Sequence, residues 1–280
     1  AQTVSGDLTG TVYDATGAIV PGATIVAKNQ ATGVETTTAS TTTGQYRFSN
    51  LPVGTYGLSA SAPGFSKAEI KAVVIELNKI ATKNITLQVG TISEVMEVTA
   101  GATTIDTTTA VVQSSFEPTQ IMDLPTTASG SGVINLSLLN AGVATSGAIG
   151  LGVGPSVGGQ RPRNNNFTVE GVDNNSKSVT GPLVTVPNDA VAEFTVQQHQ
   201  FSAEVGHSSG GQFNQIIKSG TNELHGILYE YLHNRNLNAA NNLDAVDGNP
   251  LYPRYDNNRF GFNVGGPIKK NKMFFFVGYE

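Results

Sequence analysis

The chain has 280 residues, a formal net charge of −5 and a pI near 5.4. Apolar residues make up 39% and charged ones only 13%, the balance going largely to Gly, Thr, Asn and Ser, a composition that favours strands and turns over helices. An acidic, charge-poor chain is a poor partner for nucleic acid, and without cysteine there is no disulfide, thiolate metal site or cysteine nucleophile.

The length predicts two or more domains. The opening "AQTVSG" has the small residues of a mature end left by signal peptidase. No run of about 18 apolar residues occurs, so no transmembrane helix is expected. Residues 1–89 are predicted to form one β-sandwich. "LTGTVYD" and "ATIVAKN" alternate apolar and polar, with Gly17, Pro21 and Gly22 breaking the chain between them. "GQYRFSNLPVGTYGLSA" and "NITLQV" continue the series. Tyr46 and Phe48 share one face, as do Tyr56 and Leu58.

Residues 90–106 read as a connector. In it "SEVMEVTA", residues 93–100, alternates like an extended strand with too little apolar area to hold itself in place. Such a strand can add to a partner's sheet edge. Residues 107–221 read as a compact α+β domain with long loops. "SSFEPTQIMDLP" predicts a short helix capped by Ser114 or Ser115 and stopped by Pro125, and "VINLSLLNAG" a second one ended by Gly142. A glycine-rich loop follows and runs into "GGQRPRNNN". "NFTVEGVDNN", "AVAEFTVQQHQ" and "GGQFNQIIKSG" read as strands.

From residue 222 the alternation sharpens. Ile227, Tyr229 and Tyr231 share a face in "LHGILYEYLH", Phe260, Phe262 and Val264 in "NRFGFNVGG", and Phe275 and Val277 in "MFFFVGYE". A long segment, 234–257, and a tight turn, "PIKKNK", separate these strands. Apolar-out, polar-in strands with unequal connections are what a transmembrane barrel requires. A soluble sandwich with one wet face gives a similar pattern.

Two resemblances organise these parts. "GTVYDATGAIVPGATI", "GQYRFSNLPVGTY" and "APGF" resemble the carboxypeptidase-regulatory-like sandwich family, which implies either a spacer or a glycan-binding module. "NNFTVEGVDNN", "VPNDAVAEFTVQQHQFSAEVGHSSGGQFNQIIKSGTNELHGILYEYLHNRNLNA" and "NRFGFNVGGPIKKNKMFFFVGYE" resemble the TonB-dependent outer-membrane transporters, specifically the Oar-like group. That resemblance makes residues 107–221 the plug and 222–280 the first strands of an incomplete barrel. It implies a Gram-negative outer-membrane location with the N-terminal domain in the periplasm. The implied partners are TonB with its inner-membrane energising complex, outer-membrane lipid and a small extracellular ligand of carbohydrate or peptide class.

Residue roles follow from the same resemblance. Ser93, Glu94, Val95, Met96, Glu97, Val98, Thr99 and Ala100 stand where a TonB box would, an ordinary linker being the alternative. Gly206, Gly210, Gly211, Lys218 and Gly220 lie at the seam where the plug's last strand enters the barrel wall, the glycines allowing close approach and sharp bends. Arg161, Arg163, Asn164 and Asn165 form a loop that meets either an anionic or sugar ligand or the barrel wall. Ile227, Tyr229, Tyr231, Phe260, Phe262, Val264, Phe275 and Val277 are expected to face lipid. His199, Glu204 and His207, with Glu193 nearby, match no metal-ligand spacing and read as polar lumen or rim residues. No catalytic residue, metal or cofactor is implied. Three strands cannot close a barrel, so the chain is expected to be the N-terminal fragment of a longer polypeptide. A non-transporting surface-binding protein, using the sandwich, is the alternative function.

Overall fold

The computed structural model describes residues 4–90, 96–97, 110–124, 132–145, 154–177, 181–201, 205–237 and 256–280. The chain divides into two compact units, residues 1–218 with 270–272, and the remainder from 219 onward.

The N-terminal sandwich packs two sheets. Its strands are β1 (Ser5–Asp14), β2 (Thr24–Asn29), β3 (Glu35–Ala39), β4 (Gln45–Pro52), β5 (Gly54–Ser61), β6 (Ala68–Ile75), β7 (Ile80–Thr82) and β8 (Ile85–Leu87). One sheet runs β4-β1-β7, with β8 continuing alongside β1. The other runs β3-β2-β5-β6 and gains a short outer strand, β9 (Met96–Glu97). Alternation sends Leu8, Val12, Ile25, Tyr56, Leu58 and Ile85 into one core. Tyr46 and Phe48 meet edge-to-face in that core, with ring centroids 6.1 Å apart. Strand β6 keeps no simple alternation. Ala68 and Ile70 are buried and then Val73 and Ile75, because its pairing with β5 shifts by a residue.

The middle region is built on one sheet, ordered β10 (Val112–Phe116), β15 (Val191–His199), β16 (Gln212–Ile217), β13 (Asn166–Val169) and β14 (Val172–Asp173). A small ribbon, β11 (Val143–Thr145) with β12 (Pro155–Val157), stands apart from it. The expected first helix is shorter and later than its sequence suggests. Ser114 and Ser115 lie in β10, and α1 covers only Pro118–Asp123. Its cap is Glu117, whose N–H donates to the Gln120 side chain at 3.1 Å. Pro118 at the first helical position explains the offset, since proline pushes the residue before it to extended backbone. Residues Gly132–Leu139 form a 3-10 helix, and Gly142 follows at φ +81°. Glu170 and Gly171, both at positive φ, turn β13 tightly into β14.

The second unit is an antiparallel ribbon of three strands, β17 (His225–His233), β18 (Asn257–Lys269) and β19 (Met273–Tyr279), in that order. A tight turn with Asn271 at φ +62° joins the last two. Among the described residues no helix is long and apolar enough to cross a membrane, which says nothing about crossing by strands.

Candidate functional site

The central sheet has two unlike faces. On one, Phe116, Phe194, Phe213 and Phe167 stack across four strands, with successive centroids 5.8, 6.4 and 5.0 Å apart. On the other, polar side chains stand in rows along the same pairings. Thr168 donates to Asn214 at 2.6 Å, and Asn214 to Thr195 at 3.4 Å. In the next row Asn166 donates to Gln212, and Gln197 to Gln113, each at 2.8 Å. Asn166, Thr168, Thr195, Gln197, Gln212 and Asn214 are all buried. These hydrogen bonds offset the cost of burying amides and hydroxyls, although the Gln197 side-chain oxygen is buried without a partner. The sequence signal was the alternation Glu193, Thr195, Gln197 in "AVAEFTVQQHQ". Its buried, paired character needed the neighbouring strands.

Glu193 belongs to this polar face. It is buried, and both carboxylate oxygens lie within reach of the Leu77 N–H, at 3.2 and 3.4 Å. Burial pushes its carboxyl up to about 7; the Leu77 hydrogen bond opposes the shift and the Glu76 charge adds to it. His199 and His207 are exposed, while Glu204 lies outside the described residues. Among the described residues no three His, Asp or Glu side chains are grouped to hold a metal.

The 155–165 loop and the 205–211 loop fit together closely. Asn165 is buried, donating to the Pro155 carbonyl at 2.7 Å and accepting from the Gly211 N–H at 2.9 Å. Asn164 bonds Gln160 through its side chain, and its carbonyl accepts from Ser208 and from the Gly210 N–H. These two asparagines therefore build the loop rather than face a ligand, a correction to the expectation from sequence. Arg161 and Arg163 are exposed. Of the seam glycines, Gly210 lies so close to the loop that a Cβ there would sit 2.4 Å from the Asn165 side-chain oxygen. At Gly220 a Cβ would fall 2.2 Å from the Phe275 carbonyl. Gly211 is also tight, against Phe213 and Val157, but nothing lies near a Cβ at Gly206, so close approach does not explain that glycine. The Lys218 N–H bonds the Ala190 carbonyl, and burial pushes its ammonium down against the charge of Asp189.

The ribbon register corrects the expected lipid-facing set. Residues paired directly across antiparallel strands point to the same side. Ile227, Tyr229 and Tyr231 pair with Asn263, Gly261 and Arg259, whereas Phe260, Phe262 and Val264 pair with Glu230, Leu228 and Gly226. Phe262 and Val264 in turn pair with Tyr279 and Val277, and Gly266 with Phe275. The eight residues thus divide between two faces. One is rich in Phe, Leu and Val. On the other, Arg259 grips Glu280 through two bonds of 2.8 and 3.1 Å, and the Tyr229 hydroxyl donates to Glu280 at 3.3 Å. Tyr229 also covers Gly261, where a Cβ would fall 2.5 Å from its hydroxyl.

Of the connector segment 93–100 only Met96 and Glu97 are described. Their backbone pairs in parallel with Ala68 and Glu69 on the outer edge of β6. The remaining six residues of the segment lie outside the described residues.

Comparison with known proteins matches these parts in order. Residues 7–88 match the carboxypeptidase regulatory-like domain, and residues 216–280 the outer membrane beta barrel domain. The TonB-dependent transporter Oar of Myxococcus xanthus is 25% identical over 252 residues, which cover 88% of this chain. The chain is homologous to a TonB-dependent transporter. It spans 24% of the length of that relative. Barrel domain and transporter homology together place the protein in the outer membrane. Solved structures give lower similarity. The TIE protein of Bacillus anthracis is 16% identical with a TM-score of 0.28, covering 31% of this chain and 17% of its own. The minor pilin GBS52 of Streptococcus agalactiae is 18% identical with a TM-score of 0.26, covering 34% and 49%. At such scores the likeness says nothing about function.

Proposed function

We propose that the chain belongs to a TonB-dependent importer of a small external ligand, of carbohydrate or peptide class. The observation that carries this reading is the transporter homology, which runs through the sandwich, the central sheet and the barrel strands. On this reading residues 107–221 are the plug, and the sandwich lies in the periplasm. TonB, energised from the inner membrane, takes hold of residues 93–100 by strand addition, and the pull remodels the plug to open a path. Two features support it. Part of that segment already lies extended at a sheet edge, in a parallel ladder of two residues that a competing strand can replace. The plug's polar face is held by side-chain hydrogen bonds, which water can take over one at a time. Arg161 and Arg163, exposed beside the tightly built 155–165 loop, are the candidates to meet an anionic or sugar ligand.

The test is capture of the full-length protein by the periplasmic domain of TonB, with and without residues 93–100. Binding that disappears on deletion supports an energised transporter. Binding that persists, or never occurs, transfers the weight to a surface-binding role for the sandwich.

A further inference from the structure

The turn between β6 and β7 projects the Leu77 main chain onto the polar face of the plug sheet. Its N–H donates to Glu193 and its carbonyl accepts from the Gln113 amide at 2.9 Å. Both polar groups of one peptide residue are thus taken up by two neighbouring strands of another domain. The receiving side chains are held ready. Gln113 accepts from Gln197 at 2.8 Å and reaches Ser115 at 3.2 Å, while Ser115 also bonds Glu193. The donating turn is equally fixed, since the Asn78 N–H bonds the Ser5 carbonyl and the Asp7 N–H the Lys79 carbonyl. Leu77 itself is 1% exposed. The charged groups acting on Glu193 are Glu76 and Lys79, paired with each other on the same turn.

We propose that Glu193 and Gln113 form a clamp on Leu77 that docks the sandwich onto the plug, and that the clamp closes with uptake of a proton at Glu193. The protonated carboxyl still offers one oxygen to the Leu77 N–H and can donate its own proton to the Ser115 hydroxyl. Ionised, it is a buried charge facing Glu76, and the Leu77 and Ser115 hydrogen bonds with the Lys79 charge offset its burial only in part. Burial raises the docked carboxyl to about 7 from an ordinary 4.5. A raised value means that the docked state binds the proton more tightly than the undocked one. Docking is therefore strongest at mildly acidic pH and weakens as pH rises through the docked value. The clamp stands on this geometry alone and does not depend on TonB engagement.

The experiment is hydrogen exchange at the Leu77 amide in the full-length protein, expressed as protection relative to the intrinsic rate at each pH. Between about pH 5.5 and about pH 8, protection in the wild type should fall, by at most about 30-fold, the ratio that linkage gives where undocking returns the carboxyl fully to its ordinary value. Glu193→Gln, which keeps an acceptor oxygen and cannot ionise, should stay protected at both pH values. Glu193→Ala should lose protection at both, with residues 213–217 reporting that the plug sheet is still folded. Should that variant unfold the sheet, Gln113→Ala takes its place, with reduced Leu77 protection expected. Equal wild-type protection at the two pH values overturns the proposal. So does a Leu77 amide indifferent to Glu193→Ala or, in its place, to Gln113→Ala, or a Glu193→Gln protein that retains the wild-type pH dependence. None of these readouts uses TonB, so capture and docking succeed or fail separately.

Discussion

Gly210 shows how much one missing atom can matter. With a Cβ 2.4 Å from the Asn165 oxygen and 3.1 Å from the Asn164 carbonyl, alanine would force apart the two loops that Asn165 bridges. We expect Gly210→Ala to destabilise the plug by about 1–3 kcal/mol, read as a lower denaturation midpoint at unchanged slope. Gly206→Ala, with open space around it, is the control. The sequence marked both glycines alike, because a glycine announces freedom of backbone without saying what stands beside it. The run Asn164–Asn165–Asn166 was similarly ambiguous. It reads as a solvated loop, yet Asn165 and Asn166 turn inward to partners 46 residues away. Polarity was legible there; the identity of the acceptor and donor was not.

At the scale of the element, alternation within each barrel strand was legible and the register between strands was not. A slip of one residue exchanges the two faces of a strand, so β17 could not be aligned with β18 by inspection. The observed pairing gives a sharp contrast. If the Phe-rich face meets lipid, Phe262→Arg should cost about 2–4 kcal/mol near the membrane midplane, whereas Tyr229→Arg, on the Gly261 side, should cost far less. Unfolding of the full-length protein in lipid vesicles distinguishes them. Equal penalties would mean that neither face is specialised. Strand β6 failed to stand out for a related reason: its register shift moves burial from Ala68 and Ile70 to Val73 and Ile75 and erases the period of two.

For the molecule as a whole, local pattern and turn chemistry showed a sandwich, a mixed middle region and sharply alternating last strands, while the plug and barrel roles came from the family resemblance. The clamp was legible in neither. It is made by a backbone N–H, which every residue but proline carries, and a carboxylate 116 residues away. The plug's polar rows have a calorimetric consequence. Exposing apolar surface raises the heat capacity of unfolding by about 0.45 cal/K/mol per Å², while exposing polar surface lowers it by about 0.26. The sandwich core is almost wholly apolar, but the plug buries Asn166, Thr168, Thr195, Gln197, Gln212 and Asn214 together with its phenylalanines. Opening of the plug, followed by amide exchange at Phe194 and Phe213 over a range of temperatures, should show less curvature per residue than opening of the sandwich at Leu58 and Ile70. A plug that curves as strongly as the sandwich would mean that its polar rows are wet already. A shallow curve would make it the part of the protein whose grip varies least between a cold and a warm environment.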